Sequence, residues 1–507
     1  MTGTNLILFA IIVLYLIGMI LVGIYYAKQT DDASDFYLGG RKLGPIVTAM
    51  SAEASDMSSW LMMGLPGVAY LTGLAEAGWT AIGLAIGTYL NWLIVSKRLR
   101  RYTYKTHSIT LPEFFSNRFR DTSKALLTIS ALIIVIFFVP YTASGFAACG
   151  KLFSTLFNTN YMTAMIASAI IIVLYTSLGG YLAASMTDLI QSIIMTLALV
   201  IIILFGVANA GGIQEVMSNA QSLQGYLSLT TIHDAITKTA SPYSALTIAS
   251  TLAWGLGYFG MPHILLRFMG IEDEEKLSLS RRIGTIWVII SMGVAIFIGI
   301  IGYSMSKAGT ISVLEGSSQA ETLIIQIAML MSKNGFLLAI MGGVILAGIL
   351  ACTMSTADSQ LLAASSSISQ NLLCDVLGMK LSNKAQILYA RLTVIGISII
   401  AIFLASNPDS SVFRIVSFAW AGFGAAFGPV VLFALFWKRM NKNCALAGMI
   451  VGGAMVFIWK FVIAPMGGIL AIYELLPAFI CASIAIVVVS LTTAPPTQEI
   501  MEEFESI

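Results

Sequence analysis

The stretch Ser51-Ala-Glu-Ala-Ser-Asp-Met-Ser-Ser-Trp60 places two carboxylates in the middle of an otherwise apolar segment, residues 43–72. That segment has the length and composition of a helix that crosses a lipid bilayer. A charged group at that depth costs at least ~2.5 kcal/mol even on the most lenient insertion scales. Asp56 therefore needs a partner, and ionisable groups inside membrane helices usually mark an ion or substrate pathway. The stretch predicts a transporter that holds its cargo here.

The composition indicates that most of the chain lies in lipid. The 507 residues are 58% hydrophobic and only 10% charged, and the mean hydropathy is +0.89. Soluble proteins are nearer a quarter charged. Apolar runs of about 20 residues predict roughly thirteen membrane spans. They fall near 6–27, 44–72, 76–99, 122–155, 161–178, 184–210, 243–269, 280–306, 335–371, 386–404, 412–436, 444–463 and 470–491.

The basic residues indicate how these spans are oriented. If the N-terminus lies outside, alternating loops place 21 of the 27 lysines and arginines, Arg267 among them, on one side of the membrane. Because cytoplasmic loops carry the excess of basic residues, that side is the cytoplasm. An odd number of spans then places the acidic C-terminal tail inside. We expect a multi-pass protein of the plasma membrane, with the bilayer as its surroundings and no obligate protein or nucleic-acid partner.

Two of the predicted spans cannot be simple helices. The first contains Ser51–Trp60 and then Gly64-Leu-Pro-Gly67, and the second contains Trp254-Gly-Leu-Gly-Tyr-Phe-Gly-Met-Pro262. Gly and Pro disfavour a helix interior, and in lipid such breaks survive only when they are buried or line a cavity. Interrupted spans at matching positions in two five-span halves indicate an inverted-repeat transporter with its site near the midplane. A pair of ordinary proline kinks is the alternative.

Oxygen atoms near the first break suggest an ion site. Unwound backbone supplies carbonyls in transporters of this kind, here around Ala54 and Met57. The best facing source is the run Cys352-Thr-Met-Ser-Thr-Ala-Asp-Ser359, although its hydroxyls have the alternative of bonding to their own helix. Asp188 either caps the start of its helix, which its position favours, or lines an ion exit. Asp358 suggests a second cation or proton site.

The substrate side is predicted to be aromatic. Trp60, Tyr141, Trp254 and Tyr258 fall in or beside the two breaks, and four-residue spacing would place Trp254 and Tyr258 on one helix face. Aromatic side chains with polar tips can enclose a small apolar ring and bond its charged ends. Ordinary roles in the core or in interfacial belts are the alternative for each of them.

No motif of a soluble enzyme is present in the sequence. It lacks a Walker A run, a glycine-rich dinucleotide turn and an HExxH motif. We therefore expect a protein that is not an enzyme and that transports passively or by an ion gradient.

The sequence resembles the sodium/solute symporter family over nearly its whole length. The last three of its matching blocks resemble the proline-transporting branch in particular. The blocks are Leu38-Gly-Gly-Arg-Lys-Leu-Gly-Pro45, Ala54-Ser-Asp-Met-Ser58, Met62-Met-Gly-Leu-Pro-Gly67, Trp254-Gly-Leu-Gly-Tyr-Phe-Gly-Met-Pro-His263, Met354-Ser-Thr356 and Ala419-Trp-Ala-Gly-Phe-Gly-Ala-Ala-Phe-Gly-Pro429.

This resemblance implies an all-α membrane protein with a leucine-transporter-like core of five plus five inverted helices, two of them broken. It implies one extra helix before the core and two after it. The corresponding units are residues 1–43 (extra helix and loop), 44–210 (first repeat), 211–242 (extracellular loop), 243–436 (second repeat) and 437–507 (two helices and the acidic tail).

The resemblance also implies sodium-coupled uptake of L-proline by alternating access. Na⁺ is the coupling ion, held by the carbonyls of Ala54, Met57 and Cys352 and the hydroxyls of Ser355 and Thr356. The implied substrate side comprises Ser58, Trp60, Tyr141, Trp254, Tyr258 and Pro262. Asp56 matches the carboxylate that sodium coupling needs, and Asp188 matches an acidic residue on the inward ion route.

Three residues depart from the family pattern. Glu53 and Ser59 stand where the family usually has Gly, and Asp358 stands where relatives have a neutral residue. Glu53 and Asp56 would be neighbours on a helix and would disfavour joint ionisation. The alternatives are therefore another small solute (a betaine, a sugar or a carboxylate), proton coupling through Glu53, Asp56 or Asp358, or a transporter-like sensor.

Overall fold

The computed structural model describes residues 3–28, 33–178 and 180–507, and these form a bundle of long helices. Within them, ten helices are long and apolar enough to cross a membrane. They are Gly3–Ala27, Leu74–Lys105, Ala125–Phe157, Tyr181–Asn209, Glu274–Lys307, Phe336–Val376, Asn383–Leu404, Val412–Phe436, Lys442–Met466 and Leu475–Thr492. Two shorter apolar helices are Trp60–Thr72 and Tyr161–Ser177.

The connecting segments contain shorter elements. These are the helices Ala33–Leu38, Leu111–Arg118, Ile213–Gln221, Gly316–Ala320, Leu323–Ser332 and Gln498–Glu505, and an antiparallel pair of strands, Thr231–His233 and Ala240–Pro242. The fold is therefore helical except for one small hairpin.

The outer surface of the bundle is apolar. Large side chains such as Leu204 and Phe403 are 67% and 73% exposed, and many Leu and Ile residues along the long helices are similarly exposed. Such a surface would be an aggregation hazard in water but suits contact with lipid tails. The polar residues of the two predicted breaks are buried inside.

The first broken helix consists of Pro45–Asp56 and Trp60–Thr72. It breaks at Met57, whose ψ of 66° is far from the helical range. The prediction that Gly64–Gly67 is also broken is wrong, because a π-helical turn over Trp60–Gly64 continues directly into α-helix. These glycines serve close packing instead: a Cβ on Gly64 would lie 3.0 Å from the Phe413 Cβ atom.

The second broken helix consists of Ala245–Leu252 and Pro262–Gly270, joined by a 3₁₀ segment, Ala253–Gly260. The break is thus confirmed, but the shared face predicted for Trp254 and Tyr258 assumed an α-helix. A 3₁₀ helix has three residues per turn, so residues four apart point in different directions.

Glycines bring the second broken helix close to its neighbours. Gly83 and Gly87, four residues apart on helix Leu74–Lys105, face the backbone of Leu252 and Gly255 so closely that a Cβ on either would overlap it. A Cβ on Gly424 would lie 2.8 Å from the Cα atom of Gly257. These glycines, like small residues at membrane helix interfaces in general, therefore allow the backbones to approach closely.

Candidate functional site

The first break leaves two backbone carbonyls without their helical donors. The Ser58 amide donates to the Asp56 carbonyl (2.8 Å) and the Leu61 amide donates to the Ser58 carbonyl (2.9 Å). In a continuous helix these amides would bond to Ala54 and Met57. The carbonyl oxygens of Ala54 and Met57 are therefore available to other partners.

Several oxygen atoms of the facing helix, Phe336–Val376, lie beside the first break. The Ser355 hydroxyl lies 2.8 Å from the Ala54 carbonyl and 3.1 Å from the Cys352 carbonyl, and the Thr356 hydroxyl donates to the same Cys352 carbonyl at 3.1 Å. Ser355 thus bridges the two helices, whereas Thr356 bonds only within its own. We call these residues, Ala54, Cys352, Ser355 and Thr356, the oxygen ledge. Neutral hard oxygens of this kind suit an alkali cation.

Asp56 faces the second broken helix and not the oxygen ledge. One carboxylate oxygen accepts a hydrogen bond from the Tyr258 hydroxyl at 2.5 Å, and the other has no protein partner although it is buried. The Asp56 carbonyl accepts the Trp60 indole N–H (3.2 Å) and, at 3.4 Å, the Tyr141 hydroxyl. Asp56 therefore joins the two breaks and three of the predicted substrate-side aromatics.

A cluster of aromatic rings lies between this centre and an open cavity, which we call the vestibule. The Trp254 ring lies 6.3 Å from Trp60, 5.3 Å from Phe413 and 5.2 Å from Tyr473, with which it stacks. The vestibule, of about 1030 Å³, is lined by Trp254, Phe413 and Tyr473 and by charged residues. Trp254, which lines the vestibule, and Trp60, which bonds to the Asp56 carbonyl, are only 4% and 1% exposed.

Two side chains that the sequence did not single out hold the second break in place. The Asn91 amide donates to the Tyr258 carbonyl at 2.9 Å, and the Trp420 indole N–H donates to the Trp254 carbonyl at 2.7 Å. These bonds satisfy carbonyls in the 3₁₀ segment. The only sequence signal for Asn91 was its position as a lone amide in an apolar run. Pro262 begins the next helical half, where its missing N–H is harmless.

Ser58 lies at the first break and accepts a hydrogen bond from the Trp60 amide at 3.4 Å. Its side chain also lines a small cavity beside the facing helix.

Glu53 bonds to a different helix from Asp56. It accepts hydrogen bonds from the Thr88 hydroxyl (3.2 Å) and the Trp92 indole N–H (2.8 Å) on helix Leu74–Lys105. Gly284 makes room for it, because a Cβ there would lie 2.7 Å from a Glu53 carboxylate oxygen. Glu53 thus has a built pocket of its own, separate from the oxygen ledge.

A buried charge cluster lies one helix turn beyond the oxygen ledge. Arg267 pairs with Asp188 at 3.1 Å and donates to the hydroxyls of Ser51 (3.0 Å) and Ser359 (2.6 Å), while Ser51 donates to Asp188 at 2.6 Å. The Asp358 carboxylate lies 3.4 Å from the Ser359 hydroxyl. Asp188 therefore pairs directly with Arg267, whereas Asp358 is linked to Arg267 only through the Ser359 hydroxyl.

This cluster corrects two sequence-based interpretations. Asp188 does not cap its helix, because the helix begins at Tyr181 and Asp188 lies two turns inside it. Arg267, counted as a cytoplasmic loop charge, is 1% exposed and belongs to the site. Its position near the end of a span made it look like a topology determinant.

Comparison with known proteins gives extensive matches. A sequence profile of the sodium:solute symporter family matches residues 36–452. The sodium/proline symporter of Haemophilus influenzae is 42% identical, covering 97% of this chain and 96% of that protein. The sodium/proline symporter of Escherichia coli (strain K12) is 40% identical over 97% and 94%, and the osmoregulated proline transporter of Bacillus subtilis is 41% identical over 96% and 94%.

Solved structures share the fold. A Na⁺-coupled sialic acid symporter in a substrate-bound outward-open state superposes with a TM-score of 0.79 at 19% identity, covering 97% of this chain and 99% of that one. A nucleobase-cation-symport-1 family transporter in a closed conformation gives a TM-score of 0.55 at 12% identity, covering 94% and 99%.

Proposed function

Because this chain belongs to the sodium:solute symporter family, we propose that it carries L-proline into the cell together with Na⁺. The family consists of membrane symporters, not enzymes, and the apolar helices make this chain a multi-pass protein of the plasma membrane. The relatives named sodium/proline symporter match nearly the whole chain, which supports proline as the solute.

The observation that carries the proposal is the bridge from Ser355 to the Ala54 carbonyl at 2.8 Å. The Na⁺ site comprises the carbonyls of Ala54, Met57 and Cys352 and the hydroxyls of Ser355 and Thr356. Na⁺ would take over the bridge and hold the first broken helix against the facing helix. The uncapped carbonyls at the break support this assignment, because they need a donor or a cation.

The substrate pocket comprises Ser58, Trp60, Tyr141, Trp254, Tyr258 and Pro262. The aromatic rings offer apolar faces for the pyrrolidine ring, while hydroxyls and free backbone groups at the breaks bond the charged ends. Asp56 couples the two ligands: Na⁺ orders the break that presents Asp56, and Asp56 holds Tyr258 in the pocket. The coupling free energy between the two sites must then be reciprocal.

We also propose the topology that suits this mechanism. Thirteen membrane segments, with the N-terminus outside and the C-terminus inside, place residues 44–210 and 243–436 as two inverted five-helix repeats. Residues 1–43, 211–242 and 437–507 then form the additional helices, an outer loop and the cytoplasmic tail. Opposite tilting of the two repeats would open the site to each side in turn.

The buried charge cluster also supports a second coupling ion, either a cation or a proton. Arg267 pairs with Asp188, and the buried Asp358 nearby has no ion-pair partner among the described residues, so a cation or a proton would neutralise its charge. Glu53, with two neutral donors and a free carboxylate oxygen, is the alternative position for a proton.

Uptake into proteoliposomes tests the proposal. Labelled proline should accumulate when a Na⁺ gradient points inward and should not accumulate with a matched K⁺ gradient. Uptake that is indifferent to Na⁺ would refute sodium coupling. Competition by a panel containing a betaine, a sugar and a carboxylate tests the solute, and the absence of saturable proline binding would favour another cargo or a sensor.

A further inference from the structure

A narrow cavity of about 10 Å³, with room for about one water molecule, lies beside the first break. Ser58, Tyr141, Thr142, Ser144, Thr356 and Gln360 contribute its polar lining, and Gly145 and Ala357 contribute apolar surface. No charged side chain lines it. The cavity therefore lies between two residues of the proposed substrate pocket, Ser58 and Tyr141, and Gln360 on the facing helix.

Gln360 is the unexplained residue of this cavity. Its side chain is fully buried, and neither its amide oxygen nor its amide nitrogen has a protein hydrogen-bond partner. The Thr142 hydroxyl, across the cavity, is also buried without a partner. Buried polar groups are nearly always paired, so an amide that is wholly unpaired destabilises this conformation. Such a group needs an explanation, and a partner that binds it in another state of the molecule would supply one.

The position of Gln360 indicates which state that is. It lies one helical turn beyond Thr356 on the same face of the facing helix, four residues further from the outer end of that helix. In the proposed topology this direction leads to the cytoplasm. A solute that leaves the breaks inward passes this face after losing contact with Trp254 and Trp60.

We infer that Gln360 and Thr142 form an inner subsite that binds the amino-acid substrate during its release to the cytoplasm. The inference rests on the proposed function. The chemistry favours a zwitterion over a bare cation, because the amide N–H donors fit a carboxylate and a cation has no use for them. The amide oxygen and the surrounding hydroxyls are available to accept from a secondary ammonium group.

The test replaces Gln360 with Leu, which has similar size and no hydrogen-bonding groups. Half-saturating proline is measured on both sides, in right-side-out and in inside-out membrane vesicles. We expect Gln360→Leu to raise the inner half-saturation at least about tenfold, and to change the outer value less than about twofold. Because the unpaired amide is removed, the midpoint of thermal unfolding should rise. Thr142→Val, which removes the other unpaired group, should shift the inner value in the same direction.

Gln191→Leu is the matched control. Gln191 is an equally buried glutamine on helix Tyr181–Asn209, bonded to Tyr15 at 3.0 Å and outside the cavity lining. Its replacement should leave the inner half-saturation unchanged. Unchanged inner values in both Gln360→Leu and Thr142→Val would overturn the inference, as would equal shifts on both sides. Failure of the proposed function is a distinct result, because the unaltered protein would then show no Na⁺-driven proline uptake.

Discussion

The two broken helices differ in how the backbone carbonyls at each break are hydrogen-bonded. At the first break, the carbonyls of Ala54 and Met57 lose their backbone donors, and Ala54 is met by a hydroxyl from the facing helix. At the second break, the carbonyls of Trp254 and Tyr258 are each satisfied by a fixed side-chain donor. The first break thus retains oxygens that an ion can use, whereas these two carbonyls of the second break already have donors.

This difference suggests a division of labour. The second break is held rigid by Asn91, Trp420 and close glycine contacts, so it can present shaped aromatic surfaces. At the first break, a single hydroxyl bridge from Ser355 meets the Ala54 carbonyl, so an ion that takes its place can change the local geometry. Asp56 and Tyr258 connect the two. Changes at the first break should therefore alter the response to Na⁺, and changes at the second should alter the response to proline.

The double variant Ser355→Ala with Thr356→Ala should have the largest effect. It removes two oxygens of the oxygen ledge and the bridge to Ala54. We expect the Na⁺ concentration for half-maximal uptake to rise about 100-fold, since each lost contact contributes roughly 1–1.5 kcal/mol. Sodium-dependence curves at saturating proline check this. Unchanged sodium activation would show that the ion binds elsewhere.

Asp56→Asn should have the next largest effect. The amide keeps the size of the side chain but loses the charged acceptor for the Tyr258 hydroxyl, a type of bond that contributes about 1.5–3 kcal/mol. We expect Na⁺ activation to weaken about tenfold or more, and proline affinity to weaken with it, because this residue joins the two breaks. Membrane abundance, measured by immunoblot, should change little. A shift in only one ligand would break the proposed link.

Trp420→Phe tests the second break alone. The Trp254 carbonyl loses its indole donor and becomes a buried unpaired group, at a cost of about 1–3 kcal/mol. We expect half-saturating proline to rise about tenfold, while Na⁺ activation changes less than about threefold. Trp437→Phe, at the C-terminal end of helix Val412–Phe436, is a control for loss of an indole. If Trp420→Phe shifts Na⁺ activation as strongly as proline affinity, the division of labour is wrong.

Glu53→Gln should have the smallest effect if Glu53 serves packing alone. Its amide oxygen can still accept from Thr88 and Trp92, so sodium-driven uptake should stay within about twofold. Proton movement is followed with a pH-sensitive dye inside proteoliposomes. Proline-dependent acidification that is present in the unaltered protein and absent in Glu53→Gln would instead make Glu53 a coupling residue.

The sequence predicted the parts of the site whose chemistry is unusual for their surroundings. Carboxylates and hydroxyls inside apolar spans are visible without any structure, which is why Asp56, Ser355 and the two breaks were found. The roles of Asn91 and Trp420 were missed because their partners are backbone carbonyls about 170 residues away in sequence. Such pairings depend on tertiary packing and leave no local signal.

The errors have similar physical causes. Gly64–Gly67 has the glycine and proline content expected of a helix break, but the helix continues through it by way of a π-helical turn. The glycines instead allow close contact with Phe413 and Ala320. Arg267 and Asp188 lie near the ends of their predicted spans, where charged side chains usually contact water. In the structure they form an ion pair in the interior. Sequence position shows where a charge lies along a helix but not which partner it finds.

The cluster of Trp60, Trp254 and Trp420 also gives the site an intrinsic fluorescence signal. Of eight tryptophans in the chain, Trp60 and Trp420 both lie 6.3 Å from Trp254 between ring centroids. Indoles this close exchange excitation energy, so any movement of the first break relative to the second changes their emission. Ligand binding and gate opening can therefore be followed by intrinsic fluorescence, without attaching a dye to the protein.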